Sequence, residues 1–248
     1  MPNTTYEDFS NDILSAINFL KKQKYIDVNR IGLLSHGDGG ISATIVATKM
    51  RDVSFMISLS IQGDDGEHIT TKELCKVLRL SGDSEEKIKR DSALNRTIYN
   101  TIIHDTCWVN SKREYKKYLS DELNENTALS LLKDSIKQII LETNMQYMTE
   151  LWKEDWFKLS LLTNSTDYLE KLTIPILAIF AEKDTQVDAL PNSQKVEAAL
   201  ERAGNKNYKV VIIPNANHLF QVAETGLPNE YKTLKKEFEP SLLPTIVN

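Results

Sequence analysis

An α/β fold with a mainly parallel sheet is predicted from three observations. A short apolar run at residues 31–34 leads into a glycine-rich turn and then a helical pattern. A second apolar run at 53–59 follows that helix, which makes a strand-helix-strand unit and favours parallel pairing. The same alternation returns near the C-terminus, with apolar runs at 174–180 and 208–213 separated by a helical stretch.

In chain order, the first element is a helix over 6–22. Phe9, Ile13, Leu14, Ile17 and Leu20 recur at helical spacing, and Thr4 or Thr5 is placed to cap its start. The strand at 31–34 comes next, then the turn Ser35-His36-Gly37-Asp38-Gly39-Gly40, a helix over 41–50 and the buried strand at 53–59. No proline occurs between Pro2 and Pro175, and no glycine between Gly82 and Gly204. A stretch without either punctuator reads as a run of helices. Leu129, Leu132, Ile136, Ile139 and Ile140 mark an amphipathic face within it. The predicted organisation is a core of residues 1–66 and 164–248, with 67–163 as a helical insertion over the sheet. Pro175 must lie near the start of the third strand, since proline cannot donate to the ladder. Helices are predicted over 193–203 and 231–238.

The chain has 248 residues, of which 41% are hydrophobic and 26% charged, within the range of an ordinary globular domain. A net charge of −5 without a basic cluster argues against a nucleic-acid partner. No apolar run approaches the ~20 residues of a membrane span. The first residues lack a signal peptide's apolar stretch, so the compartment stays open, with a soluble cytoplasmic protein favoured. Cys75 and Cys107 cannot form a disulfide framework; a single bridge between them is one reading, and two isolated structural thiols the favoured one. His68 and His104 have no partner at metal-ligand spacing, so no metal is expected, and no motif implies a cofactor.

Three segments stand at the ends of predicted strands, where open α/β sheets gather their chemistry: residues 35–40, 182–187 and 217–218. Their order, glycine-rich turn then acid then histidine, is that of a nucleophile elbow and its partners. RIGLLSHGDGG resembles the elbow of bacterial serine esterases of the α/β-hydrolase superfamily, whose usual form is G-H-S-E-G-G. EKDTQV is similar to their acid loop, NANHLFQ to their histidine loop, and WKEDWFKLSLL to the return from cap to core.

This resemblance covers nearly the whole chain and implies an α/β-hydrolase fold with an inserted helical cap. It implies hydrolysis of a small-molecule carboxylic ester through a Ser-His-Asp triad and an acyl-enzyme, with no cofactor. It makes His218 the base, Asp184 its orienting acid and the Asp38 backbone N–H an oxyanion donor. Glu182 and Asp188 stand close enough to compete for the acid's role.

Two departures qualify it. Gly37 occupies the nucleophile position, and glycine cannot form an acyl-enzyme, so the chain is expected to be nearly inert as written. Ser35 stands where glycine is usual, before the turn that would present it as a substitute. The family's N-terminal strands are also missing, which predicts an unpaired edge on the elbow strand and a homodimer or partner chain covering it.

Other readings of the turn are a plain close-packing turn and a phosphate loop. The second needs a third glycine where Ser42 stands. A non-catalytic ligand- or partner-binding protein on the same scaffold is the alternative function. His36, Met148, Trp152, Trp156 and Phe157 are candidates for a substrate pocket beneath the cap.

Overall fold

Four strands, β1 (Gly32–His36), β2 (Phe55–Leu59), β3 (Ile176–Ala181) and β4 (Tyr208–Ile213), pair in chain order and in parallel throughout. The computed structural model describes residues 4–247. Parallel neighbours require long crossovers, and helices supply them. The helix α2 (Gly39–Lys49) links β1 to β2, and α10 (Ala189–Arg202) links β3 to β4. The crossover from β2 to β3 is much longer. It holds α3 (Gly66–Leu80), α4 (Glu85–His104), α5 (Trp108–Glu125), α6 (Thr127–Ser130), α7 (Asp134–Leu151), α8 (Asp155–Leu162) and α9 (Thr166–Leu169).

One sheet face is packed densely. Met56, Ala178 and Phe180 meet Ile17 of α1 (Tyr6–Leu20), Val46 of α2 and Val196 and Leu200 of α10. Burial on all sides of α2, from Gly40 to Ala47, explains why its sequence is apolar without a polar face. The other face carries Ile179, Ala181 and Ile213, covered by Ala216, Phe220 and Leu242 of α11 (Leu242–Val247). A separate cluster holds the long crossover together, with Ile98 and Ile102 of α4 against Trp152 and Leu161.

β1 pairs only with β2 among the described residues, and Leu34 on it is 62% exposed. Among the described residues β1 is therefore an edge strand. No helix among the described residues is long and apolar enough to cross a membrane.

Three predicted features differ. No helix covers 231–238. A 3-10 turn spans Pro228–Lys232, and Lys235 O accepts from Gln221 Nε2 while Glu239 N–H donates to Phe220 O. Those bonds hold the segment against the histidine loop in an irregular path. The apolar face at 129–140 is broken, because α6 ends before α7 begins, and Ile136 and Ile139 are exposed. The helix predicted over 193–203 starts earlier, at Ala189, because Pro191 is tolerated in a first turn where its missing N–H costs nothing.

Candidate active site

β1 delivers the chain into a sharp turn at Gly37, whose φ is +54°. Its N–H donates to Leu59 O at 2.9 Å and its carbonyl accepts from Gly40 N–H at 2.9 Å, so the turn is fixed against β2 as α2 begins. Glycine occupies this left-handed conformation without the penalty that a side chain brings. A Cβ at this position would lie 3.5 Å from His218 Nε2 and 3.6 Å from its Cε1. Position 37 thus points at the imidazole across an ordinary contact distance. Ser35 is buried, and its hydroxyl is bonded to that of Ser58 at 2.9 Å.

Asp184 stands three residues beyond β3 and is fully buried. Its Oδ1 accepts from the N–H groups of Gln186 at 2.8 Å and Val187 at 2.9 Å, a side-chain-built turn that fixes the carboxylate. Its Oδ2 accepts from Ser60 Oγ at 2.7 Å and faces His218 Nδ1 at 2.8 Å. A carboxylate can only accept, so Nδ1 carries the proton and Nε2 offers its lone pair towards position 37. The competing acids are engaged elsewhere: Glu182 accepts from Asn215 N–H at 2.7 Å, and Asp188 pairs with Lys76 at 2.8 Å.

His218 is held by its own loop. Asn217 N–H donates to Gln221 O at 2.9 Å, and Gln221 N–H returns to Asn217 Oδ1 at 2.9 Å. His36 Nε2 donates to the His218 carbonyl at 2.8 Å, and the two rings stand 4.5 Å apart. His36 is a buttress of the histidine loop.

Two site residues were not singled out from sequence. Ser60 directly follows β2 with φ at +49°, and the only signal for it is a polar residue closing an apolar run. Glu73 on α3 is the other. Burial, and then the charges of Asp184 and Asp38, push its carboxyl up to about 7 against the lowering effect of His218. Burial raises Asp38 too, and Gln62 Nε2 donates to its carboxylate at 2.6 Å. Lys76, one turn beyond Glu73, donates to the Asp184 carbonyl at 2.6 Å and so ties α3 to the acid loop.

Of the five residues expected to line a pocket, Trp156 and Phe157 do so, together with Asp38 and Gly39 of the elbow. Trp152 is instead 2% exposed and packed edge-on to Tyr115, and Met148 packs against the same cluster. His68 has neighbours that its sequence spacing did not suggest. Asp64, Asp65 and His68 offer atoms within 4.8 Å of one another, but Asp64 is already paired with Lys72 and Lys195. Cys75 is half-buried and Cys107 exposed, and both are free.

Residues 126–238 match the family model of the prolyl oligopeptidase family. That stretch is less than half of the chain; it takes in Asp184 and His218 and stops short of the elbow. No curated protein matches the chain. Among solved structures, a thermophilic esterase from Thermogutta terrifontis is 18% identical with a TM-score of 0.42, over 88% of this chain and 67% of that one. A bromoperoxidase from Bacillus anthracis is 16% identical with a TM-score of 0.47, over 98% and 75% respectively. An acylaminoacyl peptidase from Pyrococcus horikoshii is 16% identical with a TM-score of 0.41, over 85% of this chain and 23% of that one. The chain therefore spans under a quarter of that peptidase's length.

Proposed function

We propose that this chain, an α/β-hydrolase superfamily member, keeps the acid–base pair of a carboxylic ester hydrolase and lacks its nucleophile. In this reading a serine hydroxyl at position 37 would attack the ester carbonyl while His218 takes its proton through Nε2. Asp184 holds the ring in that tautomer and stabilises the imidazolium. The Asp38 N–H would donate to the developing oxyanion. The alkoxide would leave with the proton from His218, and water would then release the acid by the same route. With glycine at position 37 the acyl-enzyme cannot form, and the chain as written has little esterase activity.

The observation that carries this reading is the direction of position 37, whose Cβ would meet His218 Nε2 at 3.5 Å. Residues 67–163 are read as a cap over that position. A peptidase or thioesterase would use the same groups, and the substrate pocket decides between them.

The test is hydrolysis of short-chain nitrophenyl esters by this chain and by its Gly37→Ser variant. Turnover in the serine variant alone supports the reading; a folded serine variant with no turnover overturns it.

A second reading is a binding protein on a hydrolase scaffold. Gly37 favours it, and so does the cavity of about 640 Å³ beside the elbow, within the size range of small-molecule sites. Ligand-induced thermal stabilisation without turnover would distinguish it. The exposed edge of β1 is read as a surface for a partner chain or a second copy, and light scattering over a concentration series tests that.

A further inference from the structure

His218 presents its two ring nitrogens differently. Nδ1 faces Asp184 Oδ2 at 2.8 Å and carries the proton, because the carboxylate only accepts. Nε2 has no hydrogen-bond partner among the described residues, and the side chain is 10% exposed, so solvent reaches a free lone pair. Neighbouring groups offer this base no nucleophile. Ser35 bonds Ser58 at 2.9 Å, and His36 Nε2 is spent on the His218 carbonyl at 2.8 Å.

Gly37 sets what can stand before that lone pair. Apart from the adjoining chain, a Cβ at position 37 would meet only Nε2 and Cε1 within 4 Å, at 3.5 Å and 3.6 Å. Glycine therefore leaves a methyl-sized space facing Nε2. The left-handed turn, with φ at +54°, makes any other residue type there strained. A water molecule is about the size of that space and can donate to Nε2.

We propose that the chain as it stands is a slow hydrolase of activated acyl esters, in which His218 deprotonates a water held at position 37 and no acyl-enzyme forms. The inference shares with the ester-hydrolase reading only the Asp184–His218 pair. The water oxygen attacks the ester carbonyl as Nε2 takes one of its protons. The tetrahedral adduct then expels an aryloxide with the electron pair of the broken C–O bond. Nε2 returns its proton to the leaving oxygen or to solvent. An acid and a phenol result, with water as the only co-reactant. Aryl esters are the substrate class, because the base assists attack and a good leaving group departs unaided.

The probe is dinitrophenyl acetate with the unaltered protein, whose rate on less activated esters stays far below that of a serine variant. Steady release without a burst is expected, with no acetyl group on the protein by mass spectrometry and a rate about twofold lower in heavy water. His218→Gln keeps a side chain of similar bulk and should lower the rate about a hundredfold, the low end for general-base catalysis. Asp184→Asn should lower it comparably by moving the proton to Nε2. Gly37→Ala should do so too, because its methyl takes the water's place while the Asp184–His218 pair stays intact. Thermal melts establish that each variant is folded. If Gly37→Ala does not fold, His218→Gln and the isotope effect decide.

A burst that leaves the acetyl group on His218 would make the imidazole itself the nucleophile and overturn the proposal. So would a full rate in folded Gly37→Ala, or a rate in the unaltered protein no higher than in His218→Gln. Gly37→Ser separates this inference from the reading it draws on. A burst in the serine variant, beside an unaltered protein no faster than His218→Gln, retires the water route alone. Burst-free turnover in the unaltered protein beside a silent serine variant upholds the water route and retires the acyl-enzyme.

Discussion

His218 Nδ1 lies 2.8 Å from Asp184 Oδ2, and that carboxylate is anchored independently of the histidine by two backbone N–H groups and the Ser60 hydroxyl. The acid is therefore pre-positioned, and the imidazole is oriented against a fixed reference. This pair is intact beside Gly37, which in the proposed reading occupies the nucleophile's place.

Installing the nucleophile should restore turnover at a small cost in stability. Gly37→Ser is expected to raise kcat/KM for acetyl esters by at least about a hundredfold, since a missing triad member suppresses most of the rate enhancement. A side chain at φ of +54° should cost about 1 kcal/mol. That lowers Tm by about 2–4 °C in a domain of this size, a shift calorimetry can read.

In that serine background, Asp184→Asn should lower kcat by about 10⁴-fold, because the amide favours the wrong imidazole tautomer. His218→Ala should remove burst kinetics with the same substrates. A fully active Asp184→Asn variant would transfer the acid's role to Glu182 or Asp188.

Ser60→Ala tests the anchoring separately from the chemistry. It removes one donor of a fully buried carboxylate, which should cost about 1–3 kcal/mol in chemical denaturation. In the serine background kcat should fall while KM changes little.

Glu73 predicts a pH-dependent stability. Its folded pKa of about 7 lies above the ordinary 4.5, so the folded state binds its proton more tightly than the unfolded state does. The groups acting on it are Asp184, Asp38 and His218. A raised carboxyl pKa means that stability is lost as pH rises from about 4.5 to about 7, and regained below that window. Glu73→Gln should leave stability nearly unchanged at about pH 4 and raise it by about 1–2 kcal/mol at about pH 8, allowing for solvent screening at a half-buried position. Equal effects at both values would remove Glu73 from the cleft's electrostatics.

Gly226 supports the acid loop from outside. Its φ is +79°, and a Cβ there would stand 1.8 Å from the Lys183 carbonyl. Gly226→Ala should therefore cost about 2–4 kcal/mol through backbone displacement. It should also weaken the serine variant's activity, because Thr185 Oγ1 bonds the Gly226 carbonyl at 3.2 Å.

The sheet was legible because each strand is a compact apolar run. The sequence places Tyr208–Ile213 with its observed bounds, and the turn at Gly37 and the parallel sense of the pairing follow from local patterns. The segment at 231–238 was misread because its lysines, glutamates and spaced apolar residues favour a helix locally. Its bonds to Phe220 and Gln221 come from tertiary approach and override that preference. Glu73 and Ser60 were hidden for a related reason. Each reaches the site from an element distant in sequence, and no spacing rule records that approach.

The site's two halves differ in how firmly the sheet holds them. Position 37 is mounted at the end of a strand that has one neighbour among the described residues, whereas Asp184 follows an interior strand hydrogen-bonded on both sides. Local opening of the rim should thus separate the elbow from the histidine long before the acid loop lets go. In hydrogen exchange the amides of β1 should be replaced early and those of β3 only with global unfolding. Any molecule that pairs with β1 would slow that fraying, and would steady position 37 without touching it.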